Sequence, residues 1–172
     1  SDYLEAKNFY ATDVSTRLSY HPGFLGLEDI RLQTSEGRLE GKAAMIAQPG
    51  NGVEIRSVAS LENIRIRELF ASFNNFGQDY ITDKNLEGYL TSDVTFRAHF
   101  DSLWNFDKNT LYTEADLTLR SGELIDFEPA RKLSRFIEVD ELERIAFSTL
   151  ENQILIEEGS ILIPEMDISS SA

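Results

Sequence analysis

The stretch Leu90–Phe100, LTSDVTFRAHF, alternates apolar and polar side chains at nearly every position. Because successive residues of a strand point to opposite faces, this period of two predicts one long, two-faced β-strand. Val94, Phe96 and Phe100 share one face, while polar residues such as Arg97 share the other. The strand is therefore predicted to have one apolar and one polar side.

The run Leu111–Arg120, LYTEADLTLR, repeats this pattern. Two such runs can pair antiparallel across the connection Asp101–Thr110, and their apolar sides would then merge. The sequence predicts one apolar strand surface lined by Val94, Phe96, Phe100, Leu117 and Leu119.

Shorter alternating runs precede this pair and predict four more strands, at Val14–Tyr20, Leu25–Leu32, Leu39–Ala47 and Val53–Leu61. Turn-forming residues separate these strands at His21–Gly23, Ser35–Gly37 and Gln48–Gly52. An extra residue near Glu28–Asp29 predicts a β-bulge, which lets both faces of the second strand stay in register.

Helical periodicity replaces the alternation between Ile64 and Phe76. Apolar side chains recur there at intervals of three and four, at Ile66, Leu69, Phe70, Phe73 and Phe76. This spacing predicts a single amphipathic helix with an aromatic edge. Asp83–Asn85 then predicts a turn into the long strand.

The C-terminal block Gly122–Ala172 predicts a strand, a helical interruption and three further strands. Ser121–Gly122 is predicted to turn the chain into the first of these strands. Pro129 suits a first helical position, where its missing N–H is no loss. An apolar stripe over Ala130–Ile137 continues through Val139, Leu142 and Ile145, and strand residues resume at Phe147.

The predicted fold class is mainly β, an antiparallel meander forming a curved sheet, groove or open barrel, with two short amphipathic helical inserts. The 172 residues are expected to form a single domain. The chain begins without Met in a strand-like run and stops just after an apolar strand. We therefore expect residues 1–172 to be a fragment of a longer protein.

Charge and composition exclude several classes of function. The chain has 30 acidic and 16 basic residues and a net charge of −14, which argues against unaided nucleic-acid binding. It has no cysteine, so a disulfide framework and a thiolate metal site are excluded. No apolar run approaches the ~18 residues of a membrane span.

Residues that could carry chemistry do not form a recognisable set. His21 falls in a predicted turn and His99 on a polar strand face, so neither has a spaced partner for metal binding or nucleophilic catalysis. The acidic pairs Asp140–Glu141 and Glu157–Glu158 are typical of solvated turns and helix starts. We therefore expect no catalytic residues, no metal, no cofactor and no enzymatic activity.

The apolar strand surface leaves three hypotheses open. The surface is either the sealed core of an ordinary β domain or, in the first hypothesis, the lining of a groove that shields acyl chains. A structural or docking module is the second hypothesis, with the helix around Phe70, Phe73 and Phe76 presenting a partner surface. A carbohydrate-binding sandwich is the third, and it would need Tyr89 and Tyr112 exposed on an outer face.

Several segments together resemble the C-terminal region of AsmA-like proteins of the Gram-negative envelope. The N-terminal ones are VSTRLSYHPG at Val14–Gly23, followed by Leu25, Leu27, Ile30 and the turn EGRLEG at Glu36–Gly41. More specific are IRELF at Ile66–Phe70, FNNFGQD at Phe73–Asp79, DKNLEG at Asp83–Gly88 and the block Gly122–Ala172. The likeness covers most of the chain.

The resemblance implies a section of a long periplasmic protein, usually anchored in the inner membrane, with groove-like β architecture. It further implies a part in lipid transport between membranes and in outer-membrane biogenesis. The implied partners are a phospholipid or another acyl-chain lipid, together with other envelope proteins. The family has no catalytic motif, so no residue here inherits a chemical role from it.

Overall fold

The computed structural model describes residues 3–6, 8–50, 52–77, 81–126, 144–157, 160–162 and 167–169. These residues form ten strands, one short helix α1 (Ile66–Ser72) and a 3₁₀ turn (Asn74–Gly77). The strands are β1 (Tyr3–Ala6), β2 (Phe9–His21), β3 (Phe24–Thr34), β4 (Gly37–Gln48), β5 (Gly52–Arg65), β6 (Leu86–Phe100), β7 (Phe106–Ile125), β8 (Arg144–Glu157), β9 (Ser160–Leu162) and β10 (Asp167–Ser169).

All ten strands belong to one antiparallel sheet, in which β1 to β8 follow one another in space as they do in sequence. The outer edge of β8 carries two short strands, β10 along Thr149–Glu151 and β9 along Leu155–Glu157. Within the described residues β1 does not pair with that edge, so the sheet is not closed into a barrel. The predicted antiparallel meander is confirmed.

The long pair β6–β7 forms as its alternating sequence predicts. Val94 lies opposite Ala115, and Phe96 lies opposite Thr113. The connection is shorter than predicted, because β7 begins at Phe106 and leaves Asp101–Asn105 as the turn.

Bulges and tight turns set the register of the N-terminal strands. The β3–β4 register shifts between Leu27 and Ile30, and Asp29 takes a left-handed φ of 52°, so the predicted bulge is confirmed. Ser35 and Glu36 form the β3–β4 turn with positive φ values of 49° and 65°. Two left-handed central residues are typical of a type I′ turn, whose twist matches that of the flanking strands.

The helix α1 is shorter than the predicted span. Ile64 is fully buried and pairs with Leu90, so it belongs to β5. At the other end, Asn74, Asn75 and Phe76 take left-handed φ values of 51°, 52° and 54°, so the helix stops at Ser72. L-residues do not continue a right-handed helix in that conformation.

The predicted turn at Ser121–Gly122 is wrong, because β7 runs unbroken from Phe106 to Ile125. Gly122 instead makes room for a neighbouring aromatic ring. A Cβ atom added at Gly122 would lie 2.2 Å from the ring of Phe147, which is buried in the core. The glycine is therefore required by close packing within the sheet.

The predicted second helix falls mostly on residues 127–143, which lie outside the described residues. Its predicted extension to Ile145 is wrong, since Ile145 pairs with Leu124 in the β7–β8 ladder. Strand structure from Phe147 onward is confirmed by β8, and β9 and β10 match the other two C-terminal strands.

The hydrophobic core lies at one end of the sheet, where α1 packs against it. Ile64, Leu90, Leu119, Phe147 and Leu150 are buried together there, and Leu69 and Phe70 of α1 pack against them. The core therefore occupies only part of the length of the strands.

Candidate functional site

The two faces of the sheet differ in chemistry. Directly opposed residues of antiparallel strands place their side chains on the same face, so the strand register defines each face. The apolar face includes Leu61, Val94, Phe96, Leu117, Leu119 and Ile154. The polar face includes Ser60, Asp93, Thr95, Arg97, Asp116 and Gln153.

The five residues predicted to line one surface all lie on the apolar face, but their surroundings differ. Leu119 is only 3% exposed and belongs to the core. Val94 and Leu117 are half-buried and pack against the margin of that core. Phe96 and Phe100 are half-buried and lie progressively farther from it along β6.

One end of the apolar face, which we call the cap end, is covered by α1. Ile66 is buried, while Leu69, Phe70 and Ile81 pack over the sheet. At its C-terminus the helix reaches towards β2, where Ser72 Oγ donates a hydrogen bond of 3.2 Å to the carbonyl of Asn8. The cap end is therefore closed by the protein itself.

Beyond the cap end, the apolar face continues with smaller side chains. Gly41 lies opposite Ala59, and Ala43 lies opposite Ser57, all of them half-buried. Among the described elements, α1 is the one that packs extensively on the sheet. The middle of the apolar face is thus a half-exposed strip between strands β3 and β8, although Ala98 of β6 within it is fully buried.

The opposite end of the sheet, which we call the open end, carries the turns Pro22–Gly23, Pro49–Gly50 and Asp101–Asn105. Aromatic side chains cluster beside the last of these. The ring centroid of Phe100 lies 5.6 Å from that of Phe106 and 6.1 Å from that of Trp104. The apolar face therefore ends in a group of aromatic rings.

The polar face carries charged and hydrogen-bonding groups over its whole length. A depression of about 590 Å³ is lined by Lys42, Arg56, Arg97 and Tyr112 among others. A second of about 610 Å³ is lined by Asp93, Asp116 and Gln153 among others. Both linings are mixed, because the first also includes Ala44, Val58 and Phe96 and the second includes Leu61 and Leu117.

The two histidines lie apart and have different partners. The His21 ring stacks on Phe24 at a centroid distance of 4.7 Å, and His99 Nε2 lies 2.7 Å from a carboxylate oxygen of Glu54. In the part of the chain that the structure describes, no group of three or more His, Cys, Asp or Glu side chains could hold a metal ion. Nor does any helix there have the length and hydropathy to cross a membrane.

The aromatic residues of the other two hypotheses are placed differently. Phe73 and Phe76, at the end of α1, are 49% and 56% exposed. The guanidinium of Arg65 lies over the ring of Tyr89, and that of Arg97 lies over the ring of Tyr112. The two tyrosine rings that a carbohydrate would need are therefore each paired with a cation.

Sequence reasoning missed the exposed apolar side chains of the Asp101–Asn105 turn. Leu103 is 79% exposed and Trp104 58%. Turns normally favour Gly, Pro, Asn, Asp and Ser. Two large apolar residues in a short connection between alternating runs could therefore have indicated an exposed apolar turn.

Comparison with protein-family models, with curated proteins and with solved structures finds no match to this chain.

Proposed function

We propose that this chain is a non-enzymatic β-groove domain of an AsmA-like periplasmic protein that shields lipid acyl chains on its apolar face. In this role it serves lipid transport and outer-membrane biogenesis, within a protein anchored to the inner membrane. The ligand is a phospholipid or another acyl-chain lipid, and other envelope proteins are possible partners.

One observation carries the proposal: the apolar face runs beyond the core as a half-exposed strip, with a polar face behind it. An ordinary β domain buries such a face under a second layer, because exposed apolar surface is unfavourable in water. Each CH₂ group of an acyl chain gains roughly 0.8 kcal/mol on leaving water, so the strip and the chain would stabilise each other.

Within this proposal the five apolar-face residues have different tasks. Val94, Phe96, Phe100 and Leu117 contact the acyl chain, because they lie along the half-exposed strip. Leu119 supports the strip from within the core and has little surface left for a ligand.

The first test is organic extraction and mass spectrometry of the natively purified domain after expression in a Gram-negative host. We expect phospholipid in stoichiometric amount, and far less in an unrelated, equally washed β-protein. A folded monomer that carries no lipid and binds no apolar dye would contradict the proposal.

The second test is a pair of substitutions at adjacent positions of β6. Phe96→Asp places a charge on the apolar face, and Thr95→Asp, on the exposed polar face, is the matched control. We expect both variants to fold, with bound phospholipid lost in Phe96→Asp alone. Unfolding of Phe96→Asp would instead indicate a sealed core, where a buried charge costs several kcal/mol.

A second candidate function is a structural or docking module of the envelope. Its specific support is the exposure of Phe73 and Phe76, whose rings stack at 5.6 Å beside the cap end. In that case the double substitution Phe73→Ser and Phe76→Ser abolishes binding to an envelope partner and leaves the lipid content unchanged. Loss of lipid in that variant would count against this candidate.

A further inference from the structure

The hairpin tip between β6 and β7 presents a contiguous apolar patch to solvent. The name hairpin tip is used for the turn Asp101–Asn105 together with the flanking residues Phe100 and Phe106. Leu103 and Trp104 are adjacent and exposed, and Phe106 beside them is 40% exposed. Single exposed apolar residues are ordinary on a protein surface, but a contiguous group of them marks a contact site.

The hairpin tip is held in one conformation by its own hydrogen bonds. Asp101 Oδ1 accepts 2.8 Å hydrogen bonds from the backbone N–H groups of Leu103 and Asn105, and Oδ2 accepts one from the Asn105 side chain. The carbonyl of Asp101 also accepts a 3.0 Å bond from the N–H of Trp104. The carboxylate of Asp101 is thus hydrogen-bonded within the turn, although the residue stays exposed, and Leu103 and Trp104 are exposed beside it.

Trp104 occupies a backbone position that its side chain disfavours. Its φ is 63°, in the left-handed region where a bulky residue is uncommon. Gly or Asn would adopt this left-handed backbone conformation with less strain, so the turn alone does not explain a tryptophan here. An indole combines a large apolar ring with one N–H donor, which suits a boundary between water and hydrocarbon.

Charged groups lie at both ends of the sheet, but two turns of the open end have none. At the open end, the turns Pro22–Gly23 and Pro49–Gly50 have no charged residue, and Tyr20 is 74% exposed. Ion pairs lie at both ends: Arg65–Glu36 at 3.2 Å and Arg67–Glu87 at 2.7 Å at the cap end, and Glu54 with Arg56 and His99 on the polar face near the open end. The two uncharged turns and the side chains of Leu103 and Trp104 can therefore approach an apolar medium, while Asp101 and the polar-face carboxylate of Glu54 stay on the water side.

From this arrangement we infer that the hairpin tip docks into the interfacial region of a lipid bilayer and sets the open end of the apolar face against it. The inference rests on the proposed function, because it names the place where acyl chains pass onto the apolar face. The net charge of −14 selects a zwitterionic surface, since an anionic one repels the chain.

Trp104 is the single tryptophan of the chain and reports directly on this contact. With phosphatidylcholine vesicles we expect its fluorescence to shift to shorter wavelength and to be quenched by bromine placed on the acyl chains. Vesicles rich in phosphatidylglycerol should bind less at low salt, and added salt should reduce the difference because it screens the repulsion. Unchanged Trp104 emission with every vesicle overturns the inference.

The Leu103→Asp variant tests the apolar patch and retains Trp104 as the fluorescent reporter. We expect it to weaken vesicle binding about tenfold or more, because burial of one Leu is lost and a charge is added. Leu4→Asp, an exposed leucine on β1 far from the hairpin tip, is the matched control and should bind as the unsubstituted chain does. Equal binding by the Leu103→Asp variant overturns the inference. So does a lipid-independent Trp104 shift that grows with protein concentration, which would assign the patch to a second copy of the chain.

Failure here is distinguishable from failure of the proposed function. If Leu103→Asp loses docking but keeps its extracted phospholipid, docking at the hairpin tip is supported and the passage of acyl chains there is overturned, while the lipid-binding proposal stands. If the unsubstituted chain carries phospholipid but never docks on vesicles, the docking inference is overturned and the lipid-binding proposal stands.

Discussion

Glu54 is a carboxylate buried on the polar face between two basic side chains, Arg56 and His99. Arg56 Nε donates a hydrogen bond to Oε1, and His99 Nε2 lies 2.7 Å from Oε2. Burial alone would raise the pKa of Glu54, but the hydrogen bonds and charges of Arg56 and His99 together outweigh burial and lower that pKa. Glu54 therefore stabilises the folded chain in its ionised form.

We expect Glu54→Gln to lower the free energy of unfolding at pH 7 by about 1.5–3 kcal/mol, the scale of a hydrogen bond to a charged group. The folded pKa is lower than the unfolded one. The stabilisation is therefore complete above the unfolded pKa of about 4.3 and is lost as the pH falls through the folded value.

Urea unfolding at pH 7 and below about pH 4 checks this expectation, since the difference between the two proteins should shrink in acid. Glu62→Gln is the control, because the Glu62 side chain is 56% exposed in its pair with Arg38. An exposed pair contributes little, so that variant should behave as the unsubstituted chain at both pH values. A difference for Glu54→Gln that stays constant with pH would contradict the pKa argument.

At the scale of elements, two facing glycines decide how β6, β7 and β8 pack. Gly88 takes a φ of 120°, and a Cβ atom there would lie 2.9 Å from the carbonyl oxygen of Arg120 and from Cα of Gly122. The β6–β7 register shifts at this point, and the ring of Phe147 lies over Gly122. The register shift marks a β-bulge, and β7 continues through it to Ile125.

We expect Gly88→Ala to destabilise the chain by about 2 kcal/mol or more, because it combines a disfavoured φ with a backbone clash. Gly50→Ala is the matched control, since Gly50 has a φ of 83° but no atom within 4 Å of the added Cβ. Gly50→Ala should lose only the stability that corresponds to its strained φ. Thermal or urea unfolding of both variants measures the difference, and equal losses would show that the close approach at Gly88 is relieved cheaply.

At the scale of the whole molecule, the open sheet predicts a gradient of stability from its centre to its edges. Strands β5, β6 and β7 each have a long partner on both sides and share the core. The short strands β1, β9 and β10 each pair with a single neighbour among the described residues. Local opening is easier where fewer bonds and contacts hold a strand.

Hydrogen exchange measures this gradient. We expect the backbone amides in the ladders of β5–β7 to exchange most slowly and those of β1, β9 and β10 most quickly. Addition of phospholipid should slow exchange in the middle of β6 and β7 more than at the cap end, where α1 already covers the sheet. Protection of β1 equal to that of β6 would contradict an open edge.

The strand surface was accessible to sequence reasoning because a period of two maps each residue directly to a face. Val94, Phe96, Phe100, Leu117 and Leu119 could therefore be placed together, and the bulge near Asp29 could be located. The turn at Ser121–Gly122 could not be judged correctly, since its glycine serves a contact with Phe147 on a neighbouring strand. Local sequence does not distinguish a glycine needed for a turn from one needed for close packing.

The sequence by itself determined the class of the fold and the chemistry of each strand face, because both follow from local alternation and turn residues. Only the tertiary structure decided how far α1 covers the apolar face, where the half-exposed strip begins, and that Leu103 and Trp104 project from its open end. Those features depend on which elements meet in space. Side-chain burial is set by such long-range contacts, and the periodicity of a strand is the same whether its face is covered or free.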